Sequence, residues 1–375
     1  MKKLLFIAFV VLLVVACSEK TQKIVPVERT VETQNLLHSL KQLESKGQYM
    51  FGHEDDPCYG VGWVGDSARS DVKSVCGDMP AVLGFSLGHI ELGHELNLDG
   101  VPFSVMREEI IRHFERGGVT SLTWHLDNPL TGNSCWAETE EDGMAVEAVL
   151  EGGEQHGKFL KWLDRVADFI NSLKTADGVR VPVLFRPWHE QNASWFWFGQ
   201  DFCTPEQYKE LWRMTVERLN LRGVSNALYA YSPTAEVELD EARYLERYPG
   251  DDQIDVMGMN CYCFALPGDS AQIDAYSEKL DQMLAMLCDI AKKHDKAAVL
   301  TEAGYEGIPA DNWWTHTLAP ALRKNHVGYV LVWRNAHDKP GHFYAPYPGH
   351  PSANDFVEFY KLPETLFCSD IDKLY

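Results

Sequence analysis

A single (β/α)8 barrel is the fold the sequence predicts, and three observations carry that expectation. Eight short apolar runs recur along the 375 residues, at 48–52, 81–86, 119–125, 181–190, 227–233, 255–262, 297–304 and 327–335. Each has the length of a buried strand, and their Val, Leu, Ala and Met content suits a parallel sheet covered on both faces. Helical patterns separate most of them, the alternation expected of a barrel. Polar residues cluster at the carboxyl ends of the runs, where barrel enzymes build their sites. An open doubly wound sheet is the alternative reading of the same alternation.

The chain begins with a targeting signal. Lys2 and Lys3 precede an apolar run at 4–15, which is short for a membrane-spanning helix. Val14-Val15-Ala16-Cys17 resembles a bacterial lipobox, so residues 1–16 are expected to be removed as a signal peptide, leaving Cys17 lipidated. Residues 17–30 then read as a polar tether, residues 31–375 as the catalytic domain, and the mature protein as an exported lipoprotein whose only membrane contact is its acyl chains.

Within the domain, Leu36, Leu37, Leu40 and Leu43 predict an amphipathic helix at 31–46. Further helices are expected at 103–116, 156–174, 205–221, 235–248, 271–294 and 309–325. Thr204-Pro205 makes a good cap and first turn, and Gly117-Gly118 and Gly223 follow helices where left-handed caps belong. The long connections 57–79 and 128–155 fall on the carboxyl side of strands. No repeat or linker divides the chain, and a monomer is expected.

Composition narrows the partners. A net charge of −21 repels phosphates and anionic headgroups, so nucleic acid is not an expected partner. Apart from Cys17 the cysteines are Cys58, Cys76, Cys135, Cys203, Cys261, Cys263, Cys288 and Cys368, too scattered for paired CxxC units; neither a structural metal nor a cofactor is expected. A metal-dependent hydrolase built on His53, Glu54, His89 and His94 is a weaker alternative, because HIELGH has one residue too many for HExxH.

The strand ends carry the chemistry. The first ends in His53, Glu54, Asp55 and Asp56, the third in Trp124-His125, the fourth in His189-Glu190, the sixth in Asn260-Cys261-Tyr262, the seventh in Thr301-Glu302 and the eighth in Trp333-Arg334-Asn335. A barrel gathers all of these around one mouth. Glu190 and Glu302 then face each other, as glycoside hydrolysis requires: one carboxyl protonates the leaving oxygen while the other attacks the anomeric carbon or activates water. Rim salt bridges to Arg186 or Arg334 are the structural alternative for each glutamate alone. After Glu190 come Trp195, Phe196, Trp197 and Phe198, and no helical or strand period can turn all four inward, so some are expected to face a cleft.

These residues also bear a resemblance. RPWHEQNASWFWFG at 186–199, FGHEDDPCYG at 51–60, TWHLDNP at 123–129, TEAGYEG at 301–307 and VWRNA at 332–336 resemble the family 26 glycoside hydrolases, mainly β-mannanases, in order and over nearly the whole mature chain. The resemblance implies a retaining enzyme acting on β-1,4-mannan, galactomannan or glucomannan, with β-glucanase or β-xylanase activity, or a non-catalytic glycan-binding lipoprotein, as alternatives. It implies Glu190 as acid/base, Glu302 as nucleophile, His125 and His189 at the reactive sugar, Tyr262 holding the nucleophile, and Trp195 and Trp333 as cleft walls. Arg334, His53 and Asp55 are further candidates for substrate binding, although His53 and Asp55 could equally tie the first strand to its loop. Apolar neighbours such as Trp188 or Trp195 are expected to raise the Glu190 pKa. Ala193, where the family commonly has glycine, and the ending WFWF rather than WFWW are departures that could alter the site for the leaving sugar.

Overall fold

The computed structural model describes residues 27–66, 69–371 and 374–375; Cys17, the leader and most of the tether lie outside the described residues. Eight parallel strands form the barrel: β1 Tyr49–Glu54, β2 Val82–Ser86, β3 Val119–Thr123, β4 Val183–Arg186, β5 Ala227–Tyr231, β6 Val256–Cys263, β7 Ala297–Tyr305 and β8 Tyr329–Val332. Each pairs with its sequence neighbour, and β1 closes the ring on β8 through Met50 opposite Tyr329 and His53 opposite Val332. A two-residue strand, Thr365–Leu366, adds to the outside of β1.

Two differences in strand length matter for the site. The fourth strand stops at Arg186 rather than Glu190, because Pro187 has no N–H to continue the ladder. The eighth stops at Val332, which leaves Trp333, Arg334 and Asn335 in the loop that follows. Gly60, Gly62 and Gly65 have the spacing of a dinucleotide-binding loop, but they belong to a small antiparallel hairpin, Tyr59–Gly60 with Trp63–Val64, and open no helix.

The amino-terminal end of the barrel is plugged by the helix Val31–Lys46. Its Leu36, Leu40 and Leu43 join Met50, Val82, Val119, Leu184, Leu228, Val256, Val299 and Leu331 in one apolar cluster. Burying each leucine contributes roughly 1.5–3 kcal/mol. Thr30 caps this helix through Thr33 N, and Arg29 forms a two-pronged bond with Asp255 at 2.5 and 2.6 Å. The last residues of the predicted tether are therefore docked on the barrel. The carboxyl-terminal end of the interior is polar instead, with Arg186, Ser232, Asn260 and Thr301 all buried.

The outer helices Phe103–Glu115, His156–Ser172, Pro205–Leu221 and Ser270–Lys293 follow the predicted pattern, and Thr204 with Gln207 makes a reciprocal cap. The helix expected at 235–248 is only Glu241–Glu246, because Glu236 turns inward toward the site and Asp240 restarts the helix as its cap. A π-helical turn, Trp314–Leu318, replaces the first part of the helix expected at 309–325. The eight cysteines from Cys58 onward are unpaired.

Candidate active site

Everything at the mouth turns on the two glutamates. Glu302 lies on β7, opposite Asn260 of β6 in the ladder. Its Oε1 accepts from the Arg186 guanidinium and its Oε2 from the Tyr262 hydroxyl at 2.7 Å. Both donors suit a carboxylate anion. Burial works against the Arg186 charge, but Glu302 beside it more than compensates, and the arginine pKa is raised.

Glu190 lies four residues beyond the end of β4, in a turn, with φ at 56°. A left-handed backbone at a non-glycine residue is uncommon and is held here by its own hydrogen bonds, Glu190 N to Ser232 O at 2.8 Å and Ala193 N to Glu190 O at 3.0 Å. The carboxyl accepts from Asn260 Nδ2 at 2.7 Å and from Trp195 Nε1 at 2.8 Å. Burial, then the charges of Glu302 and Glu236, push its pKa up to about 8. Trp195 acts in the opposite direction to the one expected, since its N–H favours the anion. Trp188 is buried, with its indole on Thr215.

Asn260 connects the pair. Its Oδ1 accepts from Thr301 at 2.8 Å and from Arg186 at 3.3 Å, which aims its Nδ2 at Glu190. Glu190, Asn260, Arg186 and Glu302 thus form one hydrogen-bonded chain across the mouth. Glu236 extends it by accepting from the Tyr262 backbone N–H at 3.0 Å. The sequence reading left Asn260 and Glu236 without roles and treated Arg186 only as a rim partner. Asn260 did carry a signal, lying two residues before Tyr262 on the same strand face.

The other expected residues divide. His125 is half-buried at the mouth, its Nδ1 2.9 Å from Ser86 Oγ and its ring 5.8 Å from that of half-buried Trp333. His189 is different: it is 2 % exposed, lies behind His125 with a 3.1 Å contact between their Nε2 atoms, and packs on Phe196. Burial pulls the His125 pKa down to about 4 and that of His189 well below normal, so both rings are neutral. His53 and Asp55 are buried and do not reach the open mouth; Asp55 accepts from the Tyr59 hydroxyl, which ties β1 to its hairpin. Arg334 is bound to Asp99 at 3.1 Å and lies over Tyr59. His53 and Glu54 are in the barrel while His89 and His94 flank a short turn after β2, and among the described residues no three His, Cys, Asp or Glu side chains are placed to hold a metal ion.

The aromatic run is mostly core. Phe196, Trp197 and Phe198 are buried, and only Trp195 keeps an open side. The turn that bends this segment is neither helix nor strand, which is how three of four successive aromatics face inward. Ala193 is wholly buried, so its methyl does not border the space beside Glu190.

A parallel barrel that sets a proton-bearing carboxyl after β4 against a paired carboxylate on β7 has the site of a glycoside hydrolase. Residues 25–315 match the pattern of glycosyl hydrolase family 26, and the chain belongs to that family. It is 30% identical over 362 residues to a mannan endo-1,4-beta-mannosidase of Bifidobacterium adolescentis, covering 92% of this chain and 35% of that protein. A mannan endo-1,4-beta-mannosidase of Bacillus subtilis is 29% identical over 217 residues, covering 56% and 57%. The chain thus spans about a third of the length of the first of these relatives and just over half of the second. Among solved structures, a GH26 beta-mannanase from Bacteroides ovatus is 53% identical with a TM-score of 0.88, covering 92% of this chain and 98% of that one.

Proposed function

We propose that this chain is a retaining hydrolase of β-1,4-linked mannan. The observation that carries the reading is the asymmetry of the pair: Glu190 is lifted to about 8 and holds its proton at neutral pH, while Glu302 is bonded to Arg186 and Tyr262. In the first step the Glu302 carboxylate attacks the anomeric carbon, the glycosidic bond breaks, and the Glu190 proton goes to the leaving oxygen. In the second, the Glu190 carboxylate takes a proton from water, the resulting hydroxide attacks the anomeric carbon, and Glu302 is released. His125, a neutral ring with its nitrogens held by Ser86 and His189, presents its half-buried edge beside Trp333, and Trp195 and Trp333 offer partly open faces to pyranose rings.

The choice of mannan is supported by the names of the relatives and by the similarity to the Bacteroides ovatus enzyme. Reducing-sugar release is expected from mannan well in excess of that from cellulose, β-glucan or xylan. Preferential release from one of the others would change the substrate, and none from any would make the protein a binding module. We further propose export and lipid attachment at Cys17, on the strength of the lipobox-like VVAC. Cys17→Ala should move the protein from the membrane to the soluble fraction; unchanged membrane association would refute the anchor.

A further inference from the structure

We infer that Phe264, with Leu266 beside it, is a binding platform for a sugar unit of the polysaccharide lying beyond the two units that flank the cleaved bond. The inference rests on the proposed mannan reading and deepens it. Phe264 is 74% exposed and Leu266 64%, the most exposed large apolar side chains among the described residues apart from Val31. Both continue the strand-like alternation of β6: Tyr262, Phe264 and Leu266 point one way, while Cys263 and Ala265 are buried. The face they share is the site face, because the Tyr262 hydroxyl is bonded to Glu302.

The segment is held firmly from below. The Tyr305 hydroxyl donates to Ala265 O at 2.9 Å, and Leu266 N donates to the Gln272 side chain at 3.0 Å. Phe264 also ends a row of rings: Phe264 to Tyr262 at 6.4 Å, Tyr262 to Tyr344 at 5.7 Å, and Tyr344 to His342 at 5.4 Å. Tyr344 is fixed by Asn335, whose Oδ1 accepts from its backbone N–H, and it fills the space above Gly304, where a Cβ would come within 2.4 Å of its ring. Two residues of extended chain, roughly 6–7 Å, carry Phe264 outward from Tyr262 along the same face. An exposed aromatic on a backbone held in this way can meet the apolar face of a sugar further along the row.

The test is steady-state kinetics of wild type, Phe264→Ala and Phe264→Trp on mannan and on long and short β-1,4-manno-oligosaccharides. Phe264→Ala is expected to raise KM for mannan and the long oligosaccharides by roughly 3- to 10-fold with kcat and the short substrates unchanged, and Phe264→Trp to restore wild-type KM. Equal effects on long and short substrates, or none on any, would overturn the platform while wild-type activity upheld the mannan reading. A wild type inactive on mannan would remove both.

Discussion

Glu302→Gln is expected to lower kcat on mannan by roughly 10⁴- to 10⁶-fold with little loss of polysaccharide binding. In the proposed reaction one oxygen of this carboxylate forms the bond to the anomeric carbon, and an amide oxygen is too weak a nucleophile to replace it. The substitution is close in shape, but its NH2 must face either the Arg186 guanidinium or the Tyr262 hydroxyl, which now donate to the two Glu302 oxygens. Some loss of stability is therefore expected alongside the kinetic loss. Affinity electrophoresis in a mannan gel separates the two: a folded variant that still retards in mannan but does not turn over has lost chemistry alone. A variant that keeps activity within about tenfold of wild type would refute Glu302 as nucleophile.

Arg186 and Tyr262 were both named beside Glu302 from the sequence, while the Asn260 link that joins them to Glu190 was not, and the reason lies in the range of the interactions. The positions of the strands were readable because apolar runs and helical periods are local, and β7 keeps its predicted course through Glu302. The Val31–Lys46 helix was legible for the same reason, its leucines and caps lying within a few residues of one another. Arg186, by contrast, reaches 116 residues along the chain to Glu302, and Asn260 reaches 70 to Glu190. Only closure of the barrel brings those partners together. The turn after β4 is where local pattern says least. Ala193, Phe196, Trp197 and Phe198 are buried by irregular backbone, and of the four rings Trp195 alone keeps an open side, so strand or helix period could say that some rings turn outward but not which. His53, Asp55 and His189 were placed at the correct end of the barrel, but polar residues at a strand end can be buried beneath a mouth as well as open to it.

The second large effect concerns the proton. Glu190→Gln is expected to reduce kcat on mannan by roughly 10²- to 10⁴-fold, because a sugar leaving group needs protonation as the bond breaks. An activated aryl mannoside, whose phenolate leaves without help, should lose far less in its first step. The pH profile supplies an independent check. A general acid works only while protonated; Glu190 is lifted to about 8, so the alkaline limb of wild-type kcat/KM should fall as pH rises through that value. The lift has burial as its largest cause and the negative charge of Glu302 as its second. In Glu190→Gln the alkaline fall near 8 should vanish, whereas Trp195→Phe should move it upward, since the variant no longer donates the N–H that stabilises the Glu190 anion. A fall that stays in place in Glu190→Gln would assign the titration to another group, and an upward shift in Trp195→Phe would place the proton on the carboxyl that the indole touches.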